Sequence, residues 1–188
     1  MPWGPAMTRG DAVRSIEAGI EIVEELFGQG SVDILGTGDI GIGDAALQNK
    51  IAVIKNALLV HAPDPRDPID ILSKVGGFEI GGLAGLVIGA AANGIPVVCD
   101  GFISTAGALI ACELAPSAKA YLFTSHRSVE VGHRYMHERL GIEPLLDLGF
   151  RLGEGTGAAI AMELLDAATR ILADIKTFDE VAIKNAQI

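Results

Sequence analysis

Apolar residues return every third or fourth position early in the chain: Val13, Ile16, Ile20, Val23 and Phe27 form one face of a helix. Thr8 stands ahead of them with Asp11 three residues on, an N-cap followed by a first-turn acid, and Gly28 and Gly30 close the segment. "VDIL", Val32 to Leu35, predicts a short strand that runs into "GTGDIGIGD". A second helix over about 45–61 follows from Leu47, Ile51, Ile54 and Leu58 sharing a face, and "APDPRDP" then reads as a Pro-punctuated loop before a short helix at 69–74. Beyond it the pattern alternates: helix 79–92, strand "PVVC", helix 103–114, strand "AYLF", helix 128–139, the extended segment "PLLDL", and a long helix from near Thr156. Strands alternating with helices are βαβ units. The predicted fold class is therefore α/β, a Rossmann-like parallel sheet with helices on both faces. No repeat, low-complexity tract or linker divides residues 1–188, so a single domain is expected.

Composition narrows the picture. Of 188 residues 49% are hydrophobic but only 5% aromatic, and 24 are Gly, so the core must be built from Ala, Leu, Ile and Val with helices close to the sheet. A formal charge of -10 argues against a nucleic-acid or acidic-membrane partner, although backbone N–H groups can hold a phosphate without a cation. Cys99 and Cys112 are too few for a disulfide scaffold, four scattered His make no metal-binding spacing, and the first ten residues lack the apolar core of a secretory signal. A reducing cytoplasm fits. Ile80 to Cys99 carries no charge over the length of a membrane span, but its glycines, Asn93 and Pro96 break it into a buried helix and a buried strand.

In an open parallel sheet, ligands bind beyond the carboxyl ends of the strands. Four polar segments follow the predicted strands: "GTGDIGIGD", "DGFIS", "TSHRS" and "RLGEGTG". In the last, Glu154 sits between glycines just before a long helix, where a carboxylate is either solvated or held as a base within reach of a ligand. Each of the others has a plain reading too. The glycines of "GTGDIGIG" are spaced like a dinucleotide fingerprint, but no obvious ribose-binding acid follows. "DG" at Asp100–Gly101 suits a tight turn, and Ser125, His126 and Ser128 suit helix capping. No G-x-S-x-G elbow supports a serine hydrolase, and adjacency in sequence does not join the side chains of Ser125 and His126. His133 and His137 have the spacing of a zinc pair without a third ligand, which favours a solvated helix face.

Read together, "AMTRGDAVRSIEAGIEI", "GTGDIGIGD", "KVGGFEIGGLAGLVIGAAANGIPVVCDGFISTAGALIACELAP", "YLFTSHRSVEVGH" and "GIEPLLDLGFRLGEGTGAAIAM" resemble the nicotinate-nucleotide–dimethylbenzimidazole phosphoribosyltransferase family, in consistent order over nearly all of the chain. The resemblance implies transfer of phosphoribose from nicotinate mononucleotide to a benzimidazole-type base, without a metal or other cofactor, by a cytoplasmic homodimer. It implies that Glu154 is the general base. It also implies that Asp39 and Gly41 lie at the nicotinate and base region, that Lys50 reaches the nucleotide, that Asp100, Gly101 and Ser128 face the nucleotide, and that Leu152 and Gly153 flank the base. Three departures stand out. Asp39 occupies a position where the family usually has Glu. Only "AALQ" separates "GIGD" from "NKIAVIKNAL", where family members carry a helix and a Gly-rich loop. The family's long N-terminal region has no counterpart before "MPWGPAMT". The rival expectations are a shortened relative that binds the nucleotide without turnover, and an assembly module using helices 79–92 and 103–114 as an interface.

Overall fold

The computed structural model describes residues 4–28, 35–38, 47–150 and 154–185. In chain order these form α1 (Arg9–Gly28), β1 (Leu35–Gly38), α2 (Leu47–His61), α3 (Pro68–Val75), α4 (Phe78–Ala92), β2 (Val97–Asp100), α5 (Gly101–Leu114), a 3-10 turn (Pro116–Tyr121), β3 (Leu122–Thr124), α6 (Val131–Leu140), α7 (Thr156–Asp174) and α8 (Phe178–Asn185). Local chemistry fixes several helix starts. Thr8 Oγ1 accepts the Asp11 N–H at 3.1 Å while Thr8 N–H donates to Asp11 Oδ2 at 3.1 Å, a reciprocal cap on α1. The Asp67 carboxylate accepts from the N–H groups of Ile69 and Asp70 and so caps α3.

β1, β2 and β3 form a parallel sheet in that order, with Leu35 opposite Val97 and Val97 opposite Leu122. All four residues of β2 are buried, and the period of two sends them to different layers. Val97 and Cys99 join the core made by α4 and α5, among Ala84, Val87, Ala108 and Ala111. Val98 points the other way, onto Ala158 and Ala161 of α7. Helices therefore cover both faces, and the α/β expectation holds. "PLLDL" extends beside β3, where Leu145 N–H donates to Thr124 O and Leu146 N–H to Ser125 O.

The small-residue composition has its clearest use where α1 crosses α4. A Cβ on Gly19 would collide with the backbone of Gly82 and Leu86, and one on Gly85 with that of Ile16. Only glycine lets these two backbones approach so closely. No described helix is long and apolar enough to cross a membrane.

Two of the boundaries that differ from the sequence reading show their cause. β1 begins at Leu35 and continues through "LGTG"; residues 32–34 lie outside the described residues. Pairing with β2, rather than the apolar run, sets this strand. The expected helix 128–139 starts only at Val131, because Ser128 Oγ accepts the Glu130 N–H at 3.2 Å and holds the chain in a turn.

Candidate active site

The strand alternation that sends Val98 towards α7 sends Asp100 the same way. Asp100 ends β2 and is fully buried. Three donors converge on its carboxylate: Ser125 Oγ–H at 2.7 Å and His126 Nδ1–H at 3.0 Å on Oδ1, and the Gly157 N–H at 2.8 Å on Oδ2. The last of these caps α7 from across the sheet. The helix's own N-cap, Gly155, offers no side chain, so Asp100 supplies the acceptor, and its negative charge sits at the positive end of the helix. The approach demands glycine at 157, since a Cβ there would lie 2.5 Å from Asp100 Oδ1 and 2.9 Å from Ser125 Oγ.

His126 carries the network onward. Its Nε2 lies 3.3 Å from the Phe150 carbonyl, and the two rings pack with centroids 5.4 Å apart. Both neighbours of the imidazole are acceptors, so both contacts are hydrogen bonds only when each nitrogen bears a hydrogen. The His126 and Asp100 side chains are both almost wholly buried. Ser125 and His126, adjacent in sequence, thus do meet in space, but on the same carboxylate oxygen. The serine does not donate to the histidine, so no nucleophile–base pair is formed.

A second chain of contacts starts one residue on. Gly101 takes φ +82° to turn the strand directly into α5. Its carbonyl accepts Thr105 Oγ1–H at 2.7 Å, and Thr105 Oγ1 lies 2.9 Å from His133 Nε2. The Ser128 N–H donates to His133 Nδ1 at 3.0 Å. Because Nδ1 is the acceptor, Nε2 carries the hydrogen and donates to Thr105. His133 so ties the Ser128 turn to the first turn of α5.

This overturns the expectation of a solvated face on α6. His133 and His137 are buried, with ring centroids 4.2 Å apart. Burial, with the neighbouring His137 and His126 next, pushes the His133 pKa down from 6.5 to about 4. Burial also lowers that of His137, neither of whose ring nitrogens has a hydrogen-bond partner among the described residues. The solvated side of the helix is the other one, where Arg134 pairs with Glu138. No group of three His, Cys, Asp or Glu gathers as a metal site among the described residues.

Glu154 itself is exposed on the bend ahead of α7. Of the sequence-predicted residues, Asp100, Gly101 and Ser128 are brought to the carboxyl end of the sheet by the contacts above, and Glu154 lies just ahead of Gly157, whose N–H donates to Asp100. Asp39, Gly41, Leu152 and Gly153 lie outside the described residues, and Lys50 falls within α2 without a described side chain. A groove of about 520 Å³ lies elsewhere, between α1 and α4, and is lined largely by Ile22, Phe78, Leu83 and Leu86. The strand-end crevice, not this apolar groove, gathers the polar groups. Sequence reasoning passed over His126 and His133 as organisers of the crevice. The usable signal for His133 was Leu140, which continues the stripe of His133 and His137 on α6.

Comparison with known proteins identifies the family. A family model described as a phosphoribosyltransferase, DBI_PRT, matches residues 1–46 and 43–183. The nicotinate-nucleotide–dimethylbenzimidazole phosphoribosyltransferase of Geobacter metallireducens is 52% identical over 215 residues, covering 100% of this chain and 61% of its own length. That of Desulfotalea psychrophila is 50% identical over 209 residues, covering 96% of this chain and 58% of its own. The crystal structure of CobT from Thermus thermophilus superposes with a TM-score of 0.86 at 36% identity, over 96% of this chain and 62% of that one. The chain spans about three fifths of the length of the curated relatives it matches. The alignment to the first of them, 215 positions against 188 residues, is also long enough to show internal residues that this chain lacks. With the family model matching nearly its whole length, the chain belongs to the DBI_PRT phosphoribosyltransferase family.

Proposed function

We propose that this protein transfers phosphoribose from nicotinate mononucleotide to 5,6-dimethylbenzimidazole or a related aromatic base, giving an α-ribazole phosphate and nicotinate. The observation that carries the reading is the placement of Glu154: an exposed carboxylate at the carboxyl end of the sheet. It stands between Phe150 and Gly157, both in contact with the buried Asp100–His126 network. One ring nitrogen of the acceptor base attacks the ribose C1′ as the bond to nicotinate breaks. The bonding pair leaves with nicotinate and neutralises its pyridinium nitrogen, so the leaving group needs no acid. The other ring nitrogen of the base loses its proton to Glu154. Holding ribose and base in line supplies much of the remaining rate.

In this reading Asp39, Gly41, Leu152 and Gly153 line the base and nicotinate, while Lys50, Gly101 and Ser128 meet the nucleotide. Asp100, whose carboxylate is fully occupied by protein donors, serves the nucleotide from beneath the crevice. The protein works as a single domain in each subunit of a cytoplasmic homodimer.

The test is nicotinate release from nicotinate mononucleotide, measured with and without dimethylbenzimidazole. Release that depends on the base, and that falls by about 10²–10⁴-fold in Glu154→Gln while nucleotide affinity stays unchanged, supports the reading. Nucleotide binding without release in the unsubstituted protein would make it a non-catalytic relative.

A further inference from the structure

Glu154 sits on a segment whose ends are held by one buried pair of side chains. On its upstream side, the Phe150 carbonyl faces His126 Nε2 at 3.3 Å and the Phe150 ring packs on the imidazole. On its downstream side, the Gly157 N–H donates to Asp100 Oδ2 at 2.8 Å. Between these anchors His126 Nδ1 meets Asp100 Oδ1 at 3.0 Å, which closes the bracket. Both side chains are buried and rooted beyond different strands, Asp100 at the end of β2 and His126 two residues past β3. Phe150 and Gly157, on either side of Glu154, are therefore referenced to two strands of the sheet. The polar atoms of both side chains are taken up by protein partners.

We propose that His126 and Asp100 are positioning residues: they act as a clamp that fixes the height of the Glu154 carboxylate above the sheet. This rests on the reading of Glu154 as the base. A carboxylate that takes a proton in the transition state must hold its place closely, and a misplacement of about 1 Å costs on the order of 100-fold in rate. The clamp predicts a specific division of effects. Losing it through His126 lowers kcat by about 100-fold and leaves the KM for nicotinate mononucleotide within about threefold, because His126 is not among the groups assigned to the nucleotide.

His126→Phe keeps a ring against Phe150 and removes both polar contacts; His126→Gln serves if the first variant does not fold. Turnover is measured for each substitution alone and combined with Glu154→Gln. In the clamp the two act through one group, so the histidine change costs less than about twofold once Glu154 is gone. An equal loss in both backgrounds would overturn the proposal and leave His126 as packing only. Amide hydrogen exchange across residues 150–157 is read on the same proteins and needs no turnover. Faster exchange there, with the rest of the sheet edge unchanged, is the expected result, and unchanged exchange would overturn the clamp. If Glu154→Gln alone leaves turnover intact, the assignment of the base fails, while the exchange measurement still decides the clamp.

Discussion

Two buried histidine clusters lie side by side under the crevice, and they solve the same problem in opposite ways. Around Asp100, an anion is taken out of water and every one of its contacts is met: Ser125, His126 and Gly157 all donate to it. Around His137, burial goes largely uncompensated, for its ring nitrogens have no partner at hydrogen-bond geometry among the described residues and the Ile142 backbone and Glu143 charge only partly offset the burial, and the adjacent His133 is driven towards its neutral form. The first cluster stores a charge and the second excludes one. A buried charge holds its partners in a fixed arrangement because each lost contact is costly. A buried neutral ring holds them mainly by shape and tolerates exchange for another apolar group. The loop bearing Glu154 hangs from the first kind of cluster, which is the arrangement a site requiring exact placement would use.

The largest effect should come from Asp100→Ala. That change leaves Ser125 and His126 without their buried acceptor and α7 without its cap. Each buried group left without its hydrogen-bond partner costs about 1–3 kcal/mol, and urea unfolding of the purified protein measures the sum. A loss below about 1 kcal/mol would mean that the two clusters are energetically alike, and the comparison above would fail.

Acid separates the clusters next. His133 is held below its ordinary pKa of 6.5, at about 4. The unfolded chain therefore takes up a proton that the folded protein refuses anywhere between these values. Stability from this group is fully present above about pH 6.5 and is lost progressively down to about pH 4. The groups acting on it are His137 on its own helix, His126 and Arg127 after β3, and Asp100 from β2; among these Asp100 alone opposes the shift. The capping carboxylates Asp11, Asp67 and Asp70 are pulled below 3.8 by their hydrogen bonds, so their contributions are lost only at lower pH and do not fill this window. The urea midpoint should fall between pH 6.5 and 4, and His133→Gln should flatten that slope. A slope unchanged by the substitution would show that another group carries it.

The contrast also marks how far the sequence could be read. The helix from Arg9 was legible because Thr8 and Asp11 name its start and Ile16 and Ile20 name its buried face. Alternating helices and strands gave the sheet and its two covered faces, and the strand-end rule put Asp100, Ser128 and Glu154 at one edge. What could not be read was direction. Asp100 looks like a ligand-facing acid in "DGFIS", yet strand parity turns it towards α7, and the Gly157 N–H donates to it only because the fold brings together residues 57 apart. "LGTG" lacks the β-branched run of a strand and becomes one through its neighbour. On α6 the polar character of both histidines hid their burial. Their stripe with Leu140 was visible, but a polar residue reads as solvated until something is packed over it.

The smallest effect tests the second cluster most directly. His137→Leu removes two ring nitrogens that have no hydrogen-bond partner among the described residues and puts an apolar side chain in their place. No hydrogen bond of good geometry is broken, so mainly the difference in shape remains, and such swaps usually cost less than about 1.5 kcal/mol. The change also removes the ring that stacks on His133 and the charge that His137 would acquire in acid. At neutral pH the urea midpoint should scarcely move, and below pH 6.5 the variant should lose stability less steeply than the unsubstituted protein. A loss near that of Asp100→Ala at neutral pH would mean His137 is held by contacts as strong as those on the carboxylate, and largely uncompensated burial would no longer describe it.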